Sequence, residues 1–174
     1  MSDQVHILEE LALPDSNTWA PCEAFLQRLA RLRPSSQCFT PVLIYGDATG
    51  NERQTAVSRT DWQIVREFFN LIPIRLTSVC VLSSNPAVTD PVNCVNAMLH
   101  NQAGARRLLV DPGCEQLIAD FERVLWKVDL HGNSLADIDK SDPTRSHVSD
   151  ALGYMIAHEF GMRGKFGEMP GWVR

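Results

Sequence analysis

Short apolar runs alternate with amphipathic segments along most of this chain. The apolar, strand-type runs cover residues 5–13, 41–45, 74–82 and 106–110. Helical spacing of the apolar residues predicts a long helix after the first run, over residues 18–32, and another near the end, over residues 147–160. This alternation is typical of α/β layer folds, in which helices cover a sheet with apolar central strands.

Three shorter helices are predicted from their N-terminal signals. Thr60 and Gln63 have the spacing of a capping box, and the apolar residues that follow indicate a helix ending near Asn70. Asp90 and Asp111 each precede a proline, which is typical of a helix cap. In the helix after Asp111 the predicted buried residues are Ile118, Phe121 and Leu125.

The chain is long and apolar enough for one domain with a sizeable core. Its 174 residues are 44% hydrophobic and 21% charged, with a mean hydropathy of -0.14. We therefore expect a single domain over residues 1–160, followed by a glycine-rich, flexible tail over residues 161–174.

Several classes of protein are not expected from this sequence. No run of about 18 apolar residues could span a bilayer, and the first residues lack the layout of a signal peptide. We therefore expect no membrane association and a cytoplasmic location. The five cysteines include no Cys-x-x-Cys pair and are predicted to be buried, reduced thiols. Neither a P-loop nor a Gly-x-Gly-x-x-Gly dinucleotide motif occurs.

The net charge of -5 argues against tight, non-specific binding of nucleic acid over the whole surface. A local basic groove is compatible with that charge. The candidate residues for such a groove are Arg53, Arg59, Arg66, Arg106 and Arg107. Alternatively, these arginines are scattered, solvated charges.

Two aspartates have positions that suit metal or phosphate chemistry. Asp47 directly follows an apolar strand and opens a polar, glycine-containing loop, which is where α/β proteins place such chemistry. Asp150 lies in the first turns of the last predicted helix, three residues after His147 and on the same face. The simpler interpretations are an Asx-turn for Asp47, a favourable helix-dipole position for Asp150, and a cap or surface role for His147.

Four segments occur together in one order and cover much of the chain. They are Tyr45-Gly-Asp-Ala-Thr-Gly-Asn-Glu-Arg-Gln-Thr55, Asp90-Pro-Val-Asn-Cys-Val-Asn-Ala-Met-Leu99, Arg106-Arg-Leu-Leu-Val-Asp-Pro112 and His147-Val-Ser-Asp-Ala-Leu-Gly-Tyr154. Jointly they resemble the nuclease half of tailed-phage terminase large subunits. The resemblance implies a ribonuclease H-like fold, with a mixed sheet flanked by helices, and an endonuclease that cuts concatemeric double-stranded DNA during phage packaging.

The same resemblance implies roles for three side chains. Asp47 and Asp150 would be carboxylate ligands of Mg²⁺ or Mn²⁺, ions that activate water and stabilise the leaving oxygen in phosphodiester cleavage. His147 would order a water or contact phosphate. The implied partners are double-stranded DNA together with other phage packaging proteins or a second copy of this chain, in the cytoplasm of a bacterial host.

The first part of the chain departs from the family. The family's first catalytic acid, its first two strands and its ATPase half have no counterpart before residues 5–13, so the resemblance implies an N-terminally truncated domain. Two carboxylates leave a two-ion centre short of a bridging ligand. Residues 127–143 are predicted to form a polar loop, and its aspartates Asp137, Asp139 and Asp142 are candidates for a substitute ligand.

Three functions stay open on these grounds. The leading one is the packaging endonuclease, in an active or an inactive form. The second is a non-catalytic prophage remnant that keeps DNA-binding or assembly surfaces. The third is a small metal-dependent phosphatase, which would also place an acid such as Asp47 at a strand end but usually needs a second acid close by.

Overall fold

The computed structural model describes residues 4–14, 16–32, 42–52, 59–72, 76–139, 141–142 and 145–161. Within these ranges the chain forms five α-helices, one short 3-10 helix and six strands that pair two by two. The expected α/β class is confirmed at this level. The chain divides into a smaller unit, Leu11–Asn85, and a larger unit that combines Met1–Glu10 with Pro86–Arg174.

The smaller unit contains a pair of parallel strands. Its elements are α1 (Trp19–Leu32), β2 (Val42–Gly46), the 3-10 helix Ala48–Asn51, α2 (Asp61–Asn70) and β3 (Leu76–Val81). In the parallel pairing of β2 with β3, Tyr45 lies opposite Cys80 and Gly46 opposite Val81. The carboxyl ends of both strands therefore lie at the same edge.

The predicted capping box at the start of α2 is confirmed. The backbone N–H of Gln63 donates to Thr60 Oγ1 at 3.2 Å, and the Thr60 N–H donates to Gln63 Oε1 at 2.9 Å. These two bonds satisfy helix N–H groups that have no partner within the helix. Helix α2 buries its apolar residues Val65, Phe68 and Phe69 in a core that also contains Cys22 of α1.

The larger unit contains the other four strands. Its elements are β1 (Val5–Ile7), α3 (Thr89–Leu99), β4 (Leu108–Val110), α4 (Glu115–Arg123), β5 (Trp126–Val128), β6 (Ser134–Ile138) and α5 (His147–Phe160). β1 is parallel to β4, with His6 opposite Leu109, and β5 is antiparallel to β6.

The core of the larger unit lies where α3, α4 and α5 meet. Its most deeply buried side chains are Met98, Cys114, Leu117 and Ile156. Gly153 of α5 allows a close approach to α3, because a Cβ atom at this position would lie 3.1 Å from Cβ of Pro91. The bounds of α5 agree with the helix predicted for residues 147–160. In the described residues no helix is long and apolar enough to cross a membrane.

Several sequence predictions for the larger unit are wrong in detail. The strand expected over residues 5–13 is confined to Val5–Ile7. Helix α3 already begins at Thr89, so Asp90 lies in its first turn and is not the cap. Helix α4 begins at Glu115, and its buried residues are Leu117 and Asp120; Leu125 is 67% exposed.

The prediction of a polar loop over residues 127–143 is also wrong, because most of this segment forms the β5–β6 hairpin. Asp129 organises the turn of this hairpin, accepting hydrogen bonds at Oδ1 from the N–H groups of His131 and Asn133, both at 2.8 Å. Gly132 has φ of 83°, a left-handed conformation that favours glycine. Of the tail predicted over residues 161–174, all but Gly161 lie outside the described residues.

Candidate functional site

Asp47 lies at the carboxyl end of β2, as the sequence predicted, and caps the 3-10 helix Ala48–Asn51. Its Oδ1 atom accepts a hydrogen bond from the Thr49 N–H at 2.6 Å, which is the geometry of an Asx-turn. The residue is half-buried. The simpler structural interpretation of Asp47 is therefore confirmed, and this turn gives the carboxylate one defined orientation.

Asn85 is a second polar side chain at this edge, and it was not identified from the sequence. It follows β3, the parallel neighbour of β2, and its Nδ2 donates to Asp47 Oδ1 at 2.7 Å. Its own Oδ1 accepts from the Ala48 N–H at 2.8 Å. Asn85 thus contacts both the carboxylate and the backbone of the Asp47 loop. The sequence signal that could have identified Asn85 is the one that identified Asp47, namely a polar residue that follows a predicted apolar strand.

Trp62 holds the same loop from α2. Its indole Nε1 donates to the carbonyl oxygen of Asp47 at 2.8 Å. The indole ring lies so close to the loop that a Cβ atom on Gly46 or Gly50 would be 2.7 or 2.6 Å from it. Trp62 of α2 therefore contacts the loop that carries Asp47.

Asp150 lies in the first turn of α5, and His147 is the first residue of that helix. Asp150 is half-buried and His147 is exposed. The hydroxyl of Ser146 donates to Asp150 Oδ2 at 3.4 Å, a long hydrogen bond. The positive end of the α5 dipole favours a negative charge at Asp150, as the simpler interpretation had it.

Asp150 also lines a cavity of about 190 Å³ in the larger unit. Most of the lining is apolar and includes Val95, Phe121, Trp126 and Ile138. The carboxylates of Asp120 and Asp150 are the acidic groups on its wall. Trp126 lines this cavity together with both acids.

Asp120 is a buried acid that was not identified from the sequence. It lies in α4, is only 5% exposed and accepts hydrogen bonds from the start of α5. Its Oδ1 accepts from the Ser146 N–H at 3.2 Å and its Oδ2 from the Ser149 N–H at 3.1 Å. Two N–H donors compensate for the burial of this charged group.

The candidates for a substitute ligand take part in other interactions. Asp137 pairs with Lys127, and Asp142 Oδ2 lies 2.6 Å from Arg145 Nε. Asp139 Oδ1 accepts from the Ser141 N–H at 2.9 Å, and this contact holds the pKa of Asp139 below its usual range. Throughout the described part of the chain, no three His, Cys, Asp or Glu side chains are grouped so that they could hold a metal ion.

Two of the arginines proposed for a basic groove have partners in the described part of the chain. Arg59 forms an ion pair with Glu67, with 2.5 Å between Nη1 and Oε2. The guanidinium of Arg107 lies over the ring of Phe160, 5.9 Å from its centroid. Arg53 lies outside the described residues. A continuous basic face stays a prediction.

The structure places the predicted site residues in two groups. His147 and Asp150 share the first turn of α5 in the larger unit, whereas Asp47 belongs to the smaller unit. That Asp47 and Asp150 bind the same cation stays a prediction. No protein-family model, curated protein or solved structure matches this chain.

Proposed function

We propose that this chain is a divalent-metal-dependent endonuclease domain of the phage terminase type, with a ribonuclease H-like arrangement of its elements, that cuts double-stranded DNA. The observation that supports it most directly is Asp47 at the carboxyl end of β2, where Thr49 and Asn85 orient its carboxylate. The order of the four sequence segments, which includes this loop, is the reason for preferring DNA as the substrate.

The oxygen donors of the candidate residues suit Mg²⁺ or Mn²⁺. Both ions prefer carboxylate and amide oxygens over sulfur and nitrogen. Asp47 and Asp150 supply carboxylates, and Asn85 supplies an amide oxygen close to Asp47, 2.8 Å from the Ala48 N–H. When bound, the ion would supply positive charge for the scissile phosphate and lower the pKa of a bound water.

The start of α5 would take part in this function through His147. His147 is exposed there, one turn from Asp150, and could contact a DNA phosphate. In this proposal the protein acts on DNA in the cytoplasm of an infected bacterial cell, with other packaging proteins or a second copy as partners.

A plasmid-nicking assay with Mn²⁺ tests the proposal. Asp47→Asn and Asp150→Asn should each lower the nicking rate by about 100-fold or more, because an amide binds these ions far more weakly than a carboxylate. Asp111→Asn is the matched control for Asp47, since Asp111 Oδ1 accepts from the Gly113 N–H in an Asx-turn of its own. Asp90→Asn, in the first turn of α3, is the control for Asp150.

Both controls should nick at the wild-type rate within about two-fold, since neither residue is a proposed ligand. Nicking that persists in Asp47→Asn and Asp150→Asn would reject the two ligands. A wild-type protein that does not nick with Mn²⁺ would reject the endonuclease itself.

A non-catalytic phage-derived protein is the second candidate. Two observations favour it: no three ligating side chains are grouped in the residues that the structure describes, and the β5–β6 hairpin exposes Val128, Leu130 and Leu135. Exposed apolar side chains on a defined turn suit contact with another protein. Absence of nicking, together with self-association that is weakened by Leu130→Ser in analytical ultracentrifugation, would support this function.

A further inference from the structure

The first turn of α5 receives its cap from another helix. Ser146 occupies the N-cap position, where a serine side chain usually accepts an N–H of the first turn. Here Ser146 has φ of 71° and makes no such side-chain bond. The carboxylate of Asp120 takes this role instead, accepting the N–H groups of Ser146 and Ser149.

This arrangement connects Asp120 to Asp150 through one intervening residue. Asp120 holds the backbone N–H of Ser146 at 3.2 Å, and the Ser146 hydroxyl reaches Asp150 Oδ2 at 3.4 Å. The backbone N–H of Asp150 also donates to the Ser146 carbonyl oxygen at 2.7 Å. Ser146 is only 2% exposed, so water has little access to replace these contacts.

We propose that Asp120 is a positioning residue for Asp150, which sets the start of α5 and thereby the direction of the Asp150 carboxylate. The inference rests on the proposed function, in which Asp150 binds the divalent cation. Both carboxylate oxygens of Asp120 accept backbone N–H groups at the start of α5, so we assign it a role that acts through Ser146.

The left-handed conformation of Ser146 explains why its backbone needs an external partner. A non-glycine residue at positive φ is strained and persists only where its surroundings hold it in place. Loss of the Asp120 carboxylate would leave two N–H groups without their acceptor at a nearly buried position. We expect the first turn of α5 then to shift or fray, which moves Asp150 while the rest of the helix stays packed.

Residues that orient metal ligands typically change metal affinity by about 10- to 100-fold when they are replaced. Asp120→Ala removes both acceptors and should weaken Mn²⁺ binding by about that factor. Asp120→Asn keeps the shape and one acceptor oxygen, so its loss should be smaller than that of Asp120→Ala. Glu122→Gln neutralises an exposed carboxylate two residues along the same helix and should leave Mn²⁺ binding unchanged.

The test is a calorimetric titration of the full chain with Mn²⁺, and circular dichroism checks the folding of each variant. Wild type, Asp120→Ala, Asp120→Asn, Asp150→Asn and Glu122→Gln are compared. The inference is supported if Asp150→Asn abolishes Mn²⁺ binding, both Asp120 variants weaken it in the expected order, and Glu122→Gln does not. If Asp120→Ala fails to fold, the result for Asp120→Asn decides alone, and we expect its Mn²⁺ affinity to be at least about three-fold lower than that of wild type.

Two other outcomes overturn it in different ways. If Asp150→Asn abolishes Mn²⁺ binding while a folded Asp120 variant binds like wild type, the positioning role is wrong and the proposed function is unaffected. If wild type binds no Mn²⁺, or Asp150→Asn binds as wild type does, the proposed function fails and the positioning role fails with it.

Discussion

The indole Nε1 of Trp62 donates a hydrogen bond to the backbone carbonyl oxygen of Asp47 at 2.8 Å. The contact joins α2 to the loop at the carboxyl end of β2, and the ring lies against the glycines at either side of the loop. A larger residue at those glycines would meet the ring. The conformation of the Asp47 loop therefore depends on a tryptophan that is distant in the sequence.

Replacing Gly46 by alanine should destabilise the smaller unit through Trp62. The added Cβ atom would lie 2.7 Å from Cη2 and Cζ2 of the indole, which requires the ring or the strand to move. We expect a loss of about 1 to 3 kcal/mol in the free energy of unfolding, as for other overpacked sites. Urea denaturation measures it.

A double-mutant cycle with Trp62→Phe isolates this contact. Phenylalanine lacks the distal part of the indole, so Gly46→Ala should cost about 1 kcal/mol less in that background. Additive effects of the two substitutions, within about 0.5 kcal/mol, would show that the ring is not what restricts position 46.

Placing a second carboxylate beside Asp47 should destabilise the same loop. Asn85→Asp replaces the Nδ2 donor, 2.7 Å from Asp47 Oδ1, with a negatively charged oxygen. We expect a loss of about 1 to 2 kcal/mol at neutral pH, from the lost hydrogen bond and from repulsion between like charges. Thermal unfolding at low and high salt measures the loss, which salt should reduce.

Gln27→Glu is the matched control, since it adds the same charge by the same amide-to-acid change at an exposed position in the middle of α1. Its effect on the unfolding temperature should be within the measurement error. An Asn85→Asp protein as stable as this control would mean that the amide contributes nothing to holding Asp47.

The turn of the β5–β6 hairpin should weaken in acid. Hydrogen bonds from Asn133, first its side chain and then its backbone, hold the pKa of Asp129 below the ordinary carboxyl value. Because this pKa is lower in the folded than in the unfolded state, the ionised carboxylate stabilises the folded protein at pH values above the unfolded-state pKa. The stabilisation is lost as the pH falls through the folded-state pKa. The described hydrogen-bond partners of Asp129 lie in its own turn, so we expect the change to be local.

Amide NMR signals of His131 and Asn133, followed from about pH 6 to about pH 2, report this change. Both signals should move with the titration of Asp129 in the wild type. Asp129→Asn should abolish the titration while leaving the signals of the core helices in place. Signals that stay constant over this range would contradict the role of the ionised carboxylate.

The buried cysteines should be slow to alkylate in the folded protein. Burial raises the pKa of the Cys114 thiol, with smaller contributions from Glu10, Asp111 and Glu9. Burial likewise raises the pKa of Cys22, and Glu23 adds to it. Since the thiolate is the reactive form, iodoacetamide near neutral pH should label both at least about 10-fold more slowly than in the denatured chain.

Mass spectrometry of the labelled peptides, with half-buried Cys80 as the comparison within the same sample, measures the rates. The sequence predicted five buried, reduced thiols. Four cysteines are described and all are free, but only Cys22 and Cys114 are buried; Cys38 lies outside the described residues. Labelling of Cys114 as fast in the folded as in the denatured protein would mean that α4 opens readily at its start.

Local signals in the sequence were sufficient for several elements. The capping box of Thr60 and Gln63 and the bounds of α5 were predicted correctly, because capping and helical periodicity involve residues only three or four apart. The position of Asp47 at a strand end followed from an apolar run and the polar loop after it. The β5–β6 hairpin was missed because its exposed strands carry little apolar pattern, although Gly132 and Asn133 are typical turn residues.

By itself, then, the sequence determined the α/β alternation, the local helix signals and the edge at which Asp47 lies. Only the tertiary structure decided that Asn85 holds Asp47 across 38 residues and that Asp120 caps α5 across 26. The physical reason is that a hydrogen-bond donor can be satisfied by any acceptor that packing brings within about 3 Å, whatever its distance along the chain. Periodicity records which face of a segment is buried, but it does not record which polar group from another element will meet that face.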